Sequence, residues 1–150
     1  MQGLIDSGKY KVTEVLRSHS GFAAALCSDV TVNDGTVCIV NEYSSMAYIR
    51  ELLPLFYAMD GKRLRGSRGL ITSDGSFSAV FVYRSGIPFA EYFAAHSREY
   101  DTNLKLADSL LCSALEFDLA DDRIAACGLT AENAAVNAAE RQVYFNMLLD

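Results

Sequence analysis

Apolar and polar positions alternate with a two-residue period over residues 10–16, and residues 22–27 form an apolar run of strand length. Between them Arg17, Ser18, His19, Ser20 and Gly21 read as a hairpin turn. A third apolar run, residues 36–40, follows the turn signal Asn33, Asp34, Gly35. Three consecutive antiparallel strands are the simplest account of this opening. The pattern then changes period. Ile49, Leu52, Leu53 and Phe56 recur at three- and four-residue steps behind Ser44 or Ser45, which predicts a capped helix that Asp60 and Gly61 end. Pro54 falls inside that helix and is expected to kink or split it, because it has no amide donor and crowds the preceding turn.

Two further strands follow a basic connection that holds Lys62, Arg63, Arg65 and Arg68. Residues 69–73 are a short strand, Asp74 and Gly75 a turn, and residues 76–84 the clearest strand of the chain. On that strand Phe77, Ala79, Phe81 and Tyr83 point one way and Ser78, Val80, Val82 and Arg84 the other, so both faces carry apolar residues and a central place is expected. Residues 85–88 break it, and a small helix is expected over residues 89–96. A longer helix, capped at Asp101 or Thr102, runs to about Phe117 with Leu104, Ala107, Leu111, Ala114 and Leu115 as its buried stripe. Glu116, Asp118, Asp121 and Asp122 read as a solvated exit.

The final stretch carries two patterns at once. Alanine-rich residues 131–148 would make one helix with Ala135, Ala139, Val143 and Met147 on a single stripe, which propensity favours. The alternative is a hairpin of residues 134–136 and 142–145 around a turn at 137–141, with Val143 and Phe145 on one side and Tyr144 on the other. The β-leaning run Val143, Tyr144, Phe145 and the turn-prone residues 128–133 make the hairpin the expectation.

Composition narrows the class without naming a task. In 150 residues, 51% are hydrophobic and 21% charged, which suits one globular domain with a core of its own. A formal charge of -6 disfavours nucleic acid and anionic membrane as partners. There is no apolar run long enough for membrane insertion, and residues 1–6 do not read as a signal peptide. Cys27, Cys38, Cys112 and Cys127 form no C-x-x-C pair and His19 and His96 stand alone, so thiols in a reducing cytoplasm are expected, with no metal site and no cofactor. Lys62 to Arg68 would serve as an anion site only if the connection were ordered around a ligand; a solvated charged link is the plainer reading.

Residues 124–136 tie these elements to a family. Their order, an apolar approach, then Leu129, Glu132 and Asn133, then a second apolar run, resembles the catalytic loop of the protein-kinase-like family, where His-Arg-Asp-Leu-Lys-Pro-Glu-Asn precedes a short strand. Leu129, Glu132 and Asn133 match, while Ala126, Cys127 and Gly128 stand where that family has its His, Arg and catalytic Asp. The resemblance implies an α+β fold: a five-stranded antiparallel sheet with one helix over about residues 1–86, then a small helical part and a short β-hairpin over 87–150, all in one domain. It also implies that Asn41 stands for the phosphate-pairing Lys, that Glu51 is the candidate for its acidic partner, and that Asn146 or Met147 falls at the metal-binding Asp. The glycine-rich loop position, residues 17–22, keeps only Gly21. Phosphoryl transfer needs the cation, the base and the metal carboxylates together.

The expectation is a non-catalytic, pseudokinase-like module of a bacterial cytoplasm, acting through a protein partner or self-association, with apolar surface around Leu106, Leu110 and the Leu148–Leu149 tail. Two other readings stand beside it. One is a small acidic α+β chaperone-like dimer, which goes with the continuous C-terminal helix. The other is an atypical nucleotide-binding protein that uses Arg17 or the Lys62–Arg68 cluster in place of the missing Lys.

Overall fold

A computed structural model describes residues 8–32, 35–59, 64 and 66–150. Strands β1 (Tyr10–His19), β2 (Phe22–Asp29), β3 (Val37–Tyr43), β4 (Ser67–Ser73) and β5 (Ser76–Val82) form one antiparallel sheet in the order β1-β2-β3-β5-β4. The β1–β2 turn is tighter than expected, because Arg17 and His19 stay in the strand and pair with Ala24 and Phe22. Gly21 makes that turn possible at φ +84, and a Cβ there would lie 2.6 Å from Cβ of Ser45.

Helix α1 (Met46–Ala58) packs over this sheet, and Ser45 caps it by accepting from the Ala47 amide. Pro54 does not split it: the helix is continuous, and both Pro54 and Arg50 are exposed, so the carbonyl left without a donor can be solvated. Between sheet and helix, Tyr43 stacks on Phe77 at 4.7 Å and Phe56 meets Phe77 edge-on at 5.8 Å. Strand β5 lies between β3 and β4 with Phe77, Ser78, Ala79, Val80 and Phe81 all buried, the central place its two apolar faces predict.

The second part begins at β6 (Ile87–Pro88), which the sequence marks only as a break. It continues through α2 (Phe89–Ala95), α3 (Tyr100–Ala114), a 3-10 turn at Leu115–Phe117, α4 (Asp122–Gly128), β7 (Ala134–Asn137) and β8 (Gln142–Phe145). Strands β6, β7 and β8 make a small antiparallel sheet. The hairpin therefore forms, and the alternative of one helix over residues 131–148 does not, which removes the structural footing of the chaperone-like reading. Local propensity loses to specific bonds. The Asn137 side chain accepts from the amides of Ala139 and Glu140 and closes the turn, while Ser109 and Ser113 of α3 hold the amide and carbonyl of Val143. Val136 and Val143 then pack with Leu106 and Tyr92.

Helix α3 overturns two expectations. It begins at Tyr100, with Glu99 at the cap position and Thr102 donating to the Glu99 carboxylate. Its buried residues are Thr102 and Leu106, whereas Leu104, Leu111 and Leu115 of the expected stripe are 57%, 66% and 70% exposed. The helix carries two apolar stripes, and the one beside Ser109 and Ser113 can also hydrogen-bond β8, so it faces inward. The expected apolar surface at Leu106, Leu110 and the tail is correspondingly absent: Leu106 and Leu149 are buried, and Leu110 and Leu148 partly so. Residues 122–128 are helical, although the sequence reads Asp122 as solvated exit and the residues from Ile124 as an apolar approach, with Asp121 capping α4 through the Arg123 amide.

All four cysteines are thiols outside disulfides; Cys27 and Cys38 are buried cross-strand neighbours, Cys127 is partly buried and Cys112 exposed. Among the described residues, no helix is long and apolar enough to cross a membrane. Lys62, Arg63 and Arg65 lie outside the described residues, so the anion-site expectation falls there too; Arg68 is exposed on β4.

Candidate functional site

Beyond β8 the chain turns back beneath the large sheet, and residues 146–150 run between β3 and the turn that follows α4. Three asparagines hold this segment, each by offering its amide as a substitute peptide group. Asn41, fully buried in the middle of β3, donates Nδ2 to the Met147 carbonyl at 2.7 Å and accepts the Leu149 amide on Oδ1 at 2.9 Å. It is not the strand-end turn residue that its type suggests. Asn133 donates to the Leu148 carbonyl at 2.9 Å and accepts the Leu148 amide at 3.1 Å. Asn146 makes the same double contact with the main chain of Arg84, at 3.0 Å each way.

Asn133 does a second job. Its Nδ2 also reaches the carbonyls of Cys127 and Gly128, both at 3.1 Å, so two hydrogens serve three acceptors. Those carbonyls end α4, where a helix leaves its last acceptors without intrahelical donors; Gly128 also accepts the Thr130 amide at 3.0 Å. The Asn133 carbonyl accepts the Asn146 amide at 2.8 Å. One residue therefore caps a helix and anchors the returning chain.

Gly128, which the sequence resemblance sets against the catalytic Asp, is buried as the last residue of α4. A Cβ placed there would overlap the Phe117 ring. Even the smallest side chain is excluded, so a carboxylate in that space requires Phe117 to leave. Glu51 is exposed on α1 and takes no part in these contacts. The sequence-derived positions thus split: Asn41 and Asn133 meet on one strand of chain, Asn146 is its first residue, Gly128 lies beneath it, and Glu51 stands apart.

Tyr43, His19 and Asp150 give no signal in the sequence, and Arg17 is marked there only as a candidate cation. The Tyr43 hydroxyl donates to the Leu149 carbonyl at 2.7 Å, and its burial pushes its pKa well above the usual tyrosine value. Arg17 reaches Asp150 at 2.7 Å with one nitrogen and both Glu132 oxygens, at 2.8 and 2.9 Å, with the other. His19 Nε2 lies 2.7 Å from the other Asp150 oxygen. Partial burial alone would raise the Asp150 pKa, but the hydrogen bonds from Arg17 and His19 outweigh it and hold the carboxyl below the usual range. Hydrogen bonds to Asp150 and Glu132 raise the Arg17 guanidinium in turn. Arg17 and Asp150 lie 133 positions apart, so no local pattern could have joined them.

Above the tail a cleft of about 230 Å³ opens among Leu16, Ile39, Tyr83, Pro88, Asn133 and Leu148. Its apolar walls would suit a flat ring, and its volume falls short of the roughly 300–1,000 Å³ usual for small-molecule sites. Among the described residues no group of three or more His, Cys, Asp or Glu side chains gathers within reach of one metal ion.

No family model matches the chain, and no curated protein does. Among solved structures the chain is similar to Rad53 1–466, a kinase, in its complex with AMP-PNP. The TM-score is 0.63 at 17% sequence identity, over 92% of this chain and 38% of that one. At such identity the likeness is one of fold. The five-stranded antiparallel sheet and α1 form a kinase N-lobe-like unit, and further helices and the small sheet follow it. The chain spans little more than a third of the protein that it matches.

Proposed function

We propose that this chain is a non-catalytic, kinase-like module of the cytoplasm that works through protein interaction or regulation. One observation carries the reading: the side chains at three positions where the family pattern has its chemistry, Asn41, Asn133 and Asn146, are bonded to the chain's own backbone. Phosphoryl transfer depends on placed charge more than on covalent chemistry. A neutral amide at Asn41, a glycine packed against Phe117 and an amide at Asn146 supply none of it. Both polar atoms of the Asn41 amide are already taken up by the main chain of Met147 and Leu149.

Isothermal titration of the chain with ATP and magnesium tests this. The expected result is no saturable heat at millimolar nucleotide. Saturable binding with one site per chain would overturn the reading.

The cleft beside Tyr83 keeps a nucleotide-handling alternative in view. In that alternative Arg17 replaces the missing Lys, yet its guanidinium is already engaged by Asp150 and Glu132. A thermal-shift panel of nucleotides with and without divalent metal separates the two: a flat panel is expected, and a metal-dependent rise in Tm would favour the alternative.

A further inference from the structure

The outward stripe of α3 continues into a groove. Leu104, Leu111 and Leu115 recur at steps of seven and four, so they share one helix face about 16 Å long. Beside it Ala114, Phe117 and Ala125 form the floor of an open trough of about 490 Å³, with Leu129 as the far wall. An exposed leucine on its own requires no explanation; a contiguous row with a floor marks an association surface.

Charge says what fits there. From Tyr100 to Gly128 the chain carries six carboxylates and two cations, a net -4 out of the whole chain's -6. Arg123 lies against Asp121 at 3.1 Å. Asp101 and Asp108 lie three and four residues either side of Leu104 and so run along one edge of the stripe, with Lys105 between them, and Asp118 lines the trough itself. A second copy would bring the same acids face to face, and an anionic bilayer would be repelled.

We infer that this groove docks an amphipathic helix of a partner protein, with an apolar stripe at i, i+3, i+4 and i+7 and Lys or Arg along both flanks. The inference rests on the protein-interaction reading above and names the chemistry of the partner. Its leucines would fill the trough while its cations meet Asp108 and Asp118. Cys112, exposed and next to Leu111, lies at the edge of the covered area and reports on it.

The test uses an 18-residue fluorescent Leu/Lys amphipathic peptide at 0.15 M salt, followed by anisotropy, against a Leu/Glu peptide of the same pattern. Saturable one-to-one binding is expected for the first. The Leu/Glu peptide and the L111Q/L115Q chain should each bind at least tenfold more weakly, and D108N/D118N several-fold more weakly. Because Leu111 and Leu115 are exposed, L111Q/L115Q should keep the parent Tm, so a lost interaction is not lost folding. Bound Leu/Lys peptide should also slow alkylation of Cys112. Undiminished binding to L111Q/L115Q, equal binding of the Leu/Glu peptide, or a dimer that L111Q/L115Q breaks apart would each overturn the proposal. The nucleotide titration is independent: ATP binding would sink the functional reading whatever the peptides do, and failure of the peptides leaves that reading standing.

Discussion

Asparagine at position 41 sits where a charged side chain would have no water, and it is neutral. Its amide replaces two main-chain bonds that the tail would otherwise lack. Asn41→Ala leaves the Met147 carbonyl and the Leu149 amide buried without partners, at a cost of about 2–4 kcal/mol, measurable by urea denaturation. Gly128 is constrained by volume instead. Gly128→Ala is expected to lose about 1–3 kcal/mol through overpacking against Phe117, and F117L/G128A should recover part of it. An unchanged midpoint for Gly128→Ala would mean that the ring moves aside freely. The sequence marks residues 41, 128, 133 and 146 only by departure from a motif. What each does instead depends on neighbours from Phe117, about 11 positions from Gly128, to Leu149, 108 positions from Asn41, which periodicity cannot reveal.

At the scale of elements, the returning segment is fastened at both ends, by Asn146 on Arg84 and by Asp150 on Arg17 and His19. The carboxyl of Asp150 is held below its unfolded value, so its contribution is fully present above that value, near pH 4. It is lost as pH falls through the lower folded value. Proton exchange or Tm followed from pH 6 to pH 2 should show a loss of protection in residues 147–150 that Asp150→Asn removes; identical profiles for the two chains would contradict the assignment. The strands of the large sheet were legible because each shows a period, an apolar run or a turn signal, and the inner place of β5 followed from its two apolar faces. The C-terminal hairpin was legible only through Val143, Tyr144 and Phe145, against the alanines. The inward face of α3 was misread, because two apolar stripes compete and only Ser109 and Ser113 distinguish them. Helix α4 was missed because seven residues behind an Asp cap are too short to show a period.

For the molecule as a whole, a kinase N-lobe-like sheet is joined to a small helical part by chain that crosses between them, and Asn41, Asn133 and Asn146 hold the crossing. The amides of the tail report on that crossing one at a time. Native-state hydrogen exchange read by NMR is predicted to show Leu148 and Leu149 both protected in the parent chain. Asn41→Ala should release Leu149 first and Asn133→Ala should release Leu148 first, each by at least tenfold in exchange rate. Tail amides that exchange as fast as an unfolded peptide in the parent chain, or that are indifferent to both substitutions, would contradict it.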